Sequence, residues 1–491
     1  MSALSSLSQR ERARVRDPEF RELTPLTPTL SQRERGRGFL LLTVALVVGA
    51  QSAHAASRAR FGGTIKVAVA GKQTEKDPLF ADTPLEATMN GLVAQSLCRA
   101  EPHGFREQLA RFSRLSATQL RITVAGRLRN DIGSSLMHVI SAGQPSPYNA
   151  LLFPLRRPGD ISTVSDDSLD LHLAFPWPDL ERSLCHPTLA ILDENRRVRG
   201  HHLGDGPFVH TTSGGDYLAN ARFPRGRPFA DTLRVTFTDE RGASRLLTLD
   251  QAHVVLGATG ERSVPTGPAL YATYLAFRHE KVGPAFRDAV ESTIDRADLT
   301  RYFVRAPAVP MLRLLPPALM PQEPLTRAVP RPPPGALREV TLLFDQSASD
   351  QRAVAERLQV KLHDRGFKVA LRALSRRELR ARWSKGDFDL MLHSLLLPPA
   401  PAPALAIVLD AAGRKDLLPI HLPTLGAIPE TAVRDERALA LAQELLPKLE
   451  LVPLYAQGLP VAVSPKLQGL TFDAQGLPML DDAFLVESET P

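Results

Sequence analysis

YATYLAFRHEKVGPAFRDAVESTIDRADLTRYFVR, residues 271–305 of a 491-residue chain, opens on a short apolar run from Tyr271 to Phe277. After a polar turn, Phe286, Ala289, Val290, Thr293 and Ile294 recur three and four residues apart, which is the apolar stripe of an amphipathic helix. Asp295 then restarts the chain as an N-cap, with Asp298 at capping-box spacing. The segment predicts a strand, a helix, a sharp turn and a second helix.

Downstream the alternation becomes regular. A strand is predicted over residues 340–344, then a helix capped by Asp350 with Val354, Leu358 and Leu362 on one face and Gly366 at its end. Residues 367–371 read as a second strand. Ser375 and Glu378 form a capping box for another helix, closed by Lys385-Gly386, and residues 387–392 read as a third strand. Strand and helix alternating through short loops predict a parallel sheet with right-handed crossovers. Open α/β sheets of this kind bind ligands beyond the carboxyl ends of their strands. His393, Ser394 and Leu395 are therefore the candidate ligand contacts. A packing role for His393 stays open, because an isolated histidine carries no ligand spacing.

Upstream, residues 62–69 read as an opening strand. Thr83 as N-cap, Pro84 at N1 and Glu86 at N3 start a helix whose stripe is Leu85, Met89, Leu92, Val93 and Leu97. Short strands are predicted at 120–124, 169–175 and 233–237. Gly204 and Gly206 flank a tight turn, where glycine permits positive φ and close backbone approach.

Taken together, these motifs resemble the family 5 extracellular solute-binding proteins, which feed peptides, nickel and similar solutes to ABC transporters. Ala276-Phe277-Arg278, Arg287-Asp288-Ala289 and Ile294-Asp295-Arg296 match that family's pattern of a strand ending Phe-Asn, then Arg-x-Ala, then Ile-Asp-Arg, except that Arg278 stands where Asn is usual. Gly62-Gly63-Thr64-Ile65 is similar to the family's opening strand, and 204–208 to its Gly-Thr-Gly-Pro-Tyr turn. Where the family inserts an Asp-Gly turn and a helix, this chain has Asn130-Asp131-Ile132-Gly133 and a shorter, Pro-rich stretch. After the third strand the family carries a Trp and then an Asp that pairs with a peptide's amino terminus; here residues 395–401 read LLLPPAP.

The resemblance implies an α/β, two-lobed periplasmic binding protein-like fold, type II, with a peripheral subdomain in lobe one. The expected division is a leader at 1–38, a signal peptide at 39–55, lobe one at 56–270, lobe two at 271–452, and a return to lobe one at 453–491. It also implies capture of a small or peptide-like solute by hinge closure, delivery to an ABC permease, a monomer, and no enzymatic activity or cofactor. Arg278, His393 and Ser394 are the expected ligand-binding residues, Arg278 hinting at an anionic group in the solute. Two other readings stay open: a degenerate homologue serving as a periplasmic scaffold or sensor partner without solute, and an unrecognised hydrolase, for which no nucleophile constellation appears.

Composition bounds these readings. The net charge is +7, of which residues 1–55 contribute +3, from eight Arg against five Asp and Glu. The rest is diluted over more than four hundred residues with no basic stripe interleaved with aromatics, which speaks against nucleic-acid binding. Leu7-Ser8-Gln9-Arg10-Glu11-Arg12 returns at 30–35, resembles translated intergenic repeat DNA, and is expected to be disordered, with the true start downstream. Residues 33–37 are a basic n-region, 39–50 an apolar h-region, and Ala53-His54-Ala55 a cleavage pattern. Twelve apolar residues make only ~18 Å of helix, short of a ~30 Å hydrocarbon core, so the mature protein is expected to be soluble and periplasmic.

No Gly-x-Ser-x-Gly, His-Glu-x-x-His or phosphate-loop motif is present. His186, His201, His202 and His210 lack a helical i, i+4 pair, so no metal site is expected. Cys98 and Cys185 form no Cys-x-x-Cys pair; a disulfide and two buried thiols stay equally open.

Overall fold

A computed structural model describes residues 61–486, apart from 74, 103, 125–127, 142–144, 199–200, 212–214, 261, 284–285 and 323–337. The expectations for the leader and the signal peptide lie outside the described residues.

Two six-stranded sheets organise the chain. In the first, Thr64–Ala70 lies at the centre, parallel to Thr232–Thr238 and to Val254–Leu256. Its alternate side chains Ile65, Val67 and Val69 pack with Leu233, Val254 and Val461 in one core. Val461–Val463 closes the edge, antiparallel to Val254–Leu256.

The second sheet has Tyr271–Phe277 between Leu451–Gln457 and Leu390–Leu396, antiparallel to both. Arg338–Asp345 and Phe367–Leu374 continue it in parallel with Leu390–Leu396, the parallel trio the sequence predicts. The helix Ser349–His363 buries Val354, Leu358 and Leu362 against this sheet. Arg287 donates to the carbonyls of Leu449 and Leu451, and Arg296 to that of Pro453 at 2.8 Å. The arginines of the 287–296 motifs thus fasten their helices to a returning strand. The chain passes between the sheets twice, at 257–270 and at 458–460. The second passage follows Gln457, because Pro453–Gln457 still pair within the second sheet.

A smaller antiparallel sheet of Ala110–Ser116, Gln119–Val124, Ser168–His172 and Ile161–Thr163 forms the peripheral subdomain, with the helix Leu128–Ser141. Residues 130–133 are therefore helical. Cys98 and Cys185 form a disulfide that ties this region to the first sheet's neighbourhood. The helix Pro401–Ala411 is buried along its whole length. An all-round apolar helix has to be enclosed, and one continuous core joins its Leu405 and Leu409 to Tyr148, Trp177 and Leu171 of the subdomain.

Three local expectations change. The first helix spans Pro84–Gly91, so Leu97 lies outside it. The carbonyls of Leu92 and Val93 accept from Phe208 and from Gly204 and Gly206 instead of continuing the helix. Those glycines are required by contact, not by positive φ: a Cβ on Gly204 would lie 2.3 Å from the Ile191 carbonyl oxygen, and one on Gly206 2.5 Å from the Val93 carbonyl carbon. Second, Asp350 caps nothing; it lies in the first turn of a helix whose N-cap is Ala348. Asp345 shapes that entry by accepting from the Ser347 amide at 2.8 Å. Third, the third parallel strand is Leu390–Leu396. Asp387 pairs with Arg382 and Asp389 accepts from the Thr341 amide, which makes 387–389 the entry turn.

Candidate functional site

The two passages bring the ends of both sheets around a divided recess. One compartment, about 600 Å³, reaches from Tyr148 to Trp383 and His393. The other, about 880 Å³, runs along Glu240, Arg305, Asp350 and the 457–460 passage. Tyr271, Gln351, Arg376 and Ser394 line both. Tyr271 and Ser394 belong to paired strands, and Gln351 and Arg376 occupy the first turns of two helices.

Arg376 stands at the division. Its Nε donates to Asp345 Oδ2 at 2.7 Å, its Nη1 pairs with Glu86 and lies 3.7 Å from Asp82 Oδ1, and its Nη2 donates to Ser347 Oγ at 3.3 Å. Glu86 is 1% exposed, so this pair is shielded from water. Asp82 and Glu86 come from the first helix and its approach, Asp345 from the second sheet, so one guanidinium joins the two sheets' surroundings. Three carboxylates around a single cation leave the cluster acidic. Burial pushes the Asp82 carboxyl up to about 6, so it sheds its proton only near neutrality. Next to it, Arg380 donates to Glu75 at 2.7 Å and stacks over the Phe80 ring at 4.7 Å.

A second junction holds the strand end. The Leu396 amide donates to Tyr148 Oη at 2.9 Å, and His186 Nε2 lies 3.1 Å from the Leu396 carbonyl oxygen. Burial lowers the His186 pKa to about 3, which keeps the ring neutral and able to donate to that carbonyl. His186 is thus engaged in the fold. A third junction is the enclosed pair of Arg434 with Asp179, at 2.6 and 3.1 Å.

Of the three residues singled out from sequence, two line the recess. Ser394 Oγ accepts from Gln351 Nε2 at 3.1 Å and shares a hydrogen bond with Thr273 Oγ1 at 2.8 Å. His393 sets its ring edge-on to Trp383 at 5.6 Å, with a buried, unpartnered Nδ1 and a pKa lowered to about 4 by burial. Both lie inside the Leu390–Leu396 strand, not beyond it. Arg278 follows the opposite end of Tyr271–Phe277, where it pairs with Glu450 at 3.1 Å and covers the Phe388 ring at 4.8 Å. The strand's length, about 3.3 Å per residue, separates it from the recess, which it does not line.

Sequence reading missed Arg376, Asp82, Glu86 and Asp345. Arg376 and Glu86 were visible only as first-turn neighbours of Ser375 and Thr83, and local spacing says nothing of a partner 290 residues away. Among the described residues, no group of three or more His, Cys, Asp or Glu is arranged to hold a metal ion. No helix among them is long and apolar enough to cross a membrane.

No protein-family model matches the sequence, and no curated protein does. Solved structures do match. DppA from Helicobacter pylori, an ABC transporter-associated periplasmic binding protein in complex with the peptide STSA, superposes with a TM-score of 0.71 at 14% identity, over 89% of this chain and 99% of that one. The Escherichia coli murein tripeptide binding protein MppA gives 0.71 at 15% identity, over 86% and 98%. NikA from Staphylococcus aureus, in complex with Ni(L-His)2, gives 0.68 at 14% identity, over 86% and 100%. This chain has the two-lobed α/β fold of the periplasmic binding proteins, type II, with a peripheral subdomain in its first lobe.

Proposed function

We propose that the chain is the exported solute-binding component of an ABC transporter, of the family 5 type, capturing a small or peptide-like solute between its lobes by hinge closure. The observation that supports this most is the recess itself. It lies at the ends of both sheets, is lined from both, and is flanked by the 458–460 passage. Lobe one comprises 56–270 and the residues after the second passage, and lobe two comprises 271–457, so the boundary follows Gln457. The protein acts as a monomer, without catalysis, and hands its solute to a membrane permease. Ser394 and His393 contact the solute, with Tyr271 and Gln351 beside them. The acidic cluster around Arg376 favours a solute bearing a cationic or hydrogen-bond-donating group, which replaces the anionic hint drawn from Arg278.

A second reading draws on a specific observation. Arg376 bridges the recess, and neither the family's Trp nor its Asp follows the third strand. A periplasmic scaffold or sensor partner that keeps its lobes together without solute would look the same. Thermal-shift screening with peptides, sugars and metal chelates, followed by X-ray scattering, separates the two. Capture predicts a ligand that raises the melting temperature and changes the radius of gyration. A scaffold predicts no such ligand and one fixed radius, and that result ends the transport proposal.

A further inference from the structure

A second cleft lies outside the recess, beside the disulfide. It is open to solvent and holds about 630 Å³ of space between the first helix, the Cys98–Glu101 strand and the 473–481 return loop. Arg99, Gln95 and Asp481 border this cleft, and each is a buried polar side chain with hydrogen-bonding capacity unspent. Arg99 is 8% exposed, and its Nε and Nη2 have no hydrogen-bond partner. Asp481 is 4% exposed; its Oδ2 accepts from Arg225 at 2.9 Å and lies 3.6 Å from Arg99 Nη2, while its Oδ1 has no partner. Gln95, 6% exposed, has a free Oε1. Asp473 lines the same space and takes two backbone amides on Oδ1.

Buried polar groups are normally satisfied, and each one left bare costs about 1–3 kcal/mol. Several in one cleft therefore point to an occupant that supplies the missing partners. The pattern of vacant groups describes that occupant. Nε and Nη2 form one edge of the guanidinium, the two-pronged fork that fits a carboxylate in bidentate fashion. Asp481 Oδ1 and Gln95 Oε1 are acceptors and require donors. A simple anion would satisfy the fork and be repelled by Asp481; a simple cation would do the reverse. A molecule with a carboxylate and an ammonium on adjacent atoms satisfies both. We propose that this cleft binds a small zwitterion, a free α-amino acid, with its carboxylate on Arg99 and its ammonium toward Asp481 and Gln95. The proposal is independent of what the recess between the lobes takes. Gln475 Nε2, also lining the cleft, lies 3.3 Å from the Leu397 carbonyl in the second lobe, so the cleft's wall touches the lobe that moves in closure.

The test is calorimetric titration of the full chain with glycine and L-alanine, with N-acetyl-L-alanine as the analogue lacking the ammonium. Binding of glycine or L-alanine is expected, weakened at least tenfold in Arg99→Met and in Gln95→Leu, absent for the acetylated analogue, and unchanged in the recess variant Ser394→Ala. Gln95→Leu carries the test should Arg99→Met fail to fold, as checked by circular dichroism. Absence of binding by both amino acids overturns the proposal. So does an affinity that falls in Ser394→Ala but not in Gln95→Leu, which would put the ligand in the recess. A crystal structure grown with either amino acid and showing only water on the Arg99 fork also overturns it.

Discussion

Replacing Arg376 with methionine, which keeps the length of the side chain and removes its charge, tests whether the acidic cluster holds the lobes together. The guanidinium meets Asp345 at 2.7 Å, pairs with buried Glu86, and lies 3.7 Å from Asp82. At an effective dielectric constant near 20, each close pair is worth about 4 kcal/mol in gross attraction, most of it offset by desolvation. Removing one partner does not return that balance to zero, because the carboxylates stay buried without compensation; a loss of about 3–5 kcal/mol is the usual result. The sign of the pH dependence follows from Asp82. Its folded pKa, about 6, lies above the ordinary 3.8, so between those values the folded state holds a proton the unfolded state has released. Stability from this group is therefore full at low pH and falls as pH rises through 6. Without Arg376, whose charge opposes that rise, the same titration moves higher. Urea unfolding at pH 7.5 should show the Arg376→Met loss in full, and at pH 5 a smaller one. X-ray scattering at pH 7.5 should show a larger radius of gyration than in the parent. A loss below about 1 kcal/mol, or one equal at both pH values, would refute the assignment of Arg376 as the bridge.

Three further outcomes follow from the structure. Asp410, 3% exposed on the apolar helix Pro401–Ala411 with Lys415 Nζ at 3.6 Å, is pushed up to about 7 by burial; Asp410→Asn should match the parent near pH 4 and exceed it at pH 8 by up to about 4 kcal/mol, read from urea midpoints. The Cys98–Cys185 bridge closes a loop of sequence separation 87, so replacing both with alanine should lower the unfolding free energy by about 2–4 kcal/mol, measured against the parent with and without reductant. Gly206→Ala places a methyl 2.5 Å from the Val93 carbonyl carbon and should cost about 1–3 kcal/mol, whereas Gly91→Ala meets nothing within 4 Å and should leave the melting temperature unchanged or raised.

What the sequence disclosed was local. The Ser375–Glu378 capping box forms in full, Thr83 accepts from the Glu86 amide, and Asp295 accepts from two amides of the following turn. In each case both partners lie within four residues, so spacing alone specifies the geometry. The same reading gave the parallel trio of strands, because alternating apolar periods leave few topologies open. The site was less legible. Tyr148 with Leu396 and Arg434 with Asp179 join residues about 250 apart, and no periodicity encodes such pairs. The helix Pro401–Ala411 escaped for the opposite reason: PAPALAIVLDA is apolar on every side and so has no amphipathic period to detect. Arg278 was misplaced because a family position was read as a cleft position, although it follows the far end of its strand.

The contacts between the lobes differ in chemistry, and in the proposed closure that difference decides which side parts first. At Arg376 and Arg380 the groups are charged and border the recess, so water can replace each partner as the lobes separate, at modest net cost. At Pro401–Ala411 the contact is apolar, and each leucine laid open costs about 1.5–3 kcal/mol with nothing to replace it. The Arg434–Asp179 pair sits beside that core, enclosed to 1% and 0% exposure. On the proposed hinge at 257–270 and 458–460, the Arg376 side therefore parts first, and the Arg434 side, where lobe one's peripheral subdomain packs on Pro401–Ala411, parts last. Hydrogen exchange tests this directly. Amides of 401–411 should exchange only with global unfolding, while those of 376–380 exchange faster and slow down when a solute binds. Equal protection at both places would mean that the lobes do not part, and the scaffold reading would then describe this chain better than solute capture.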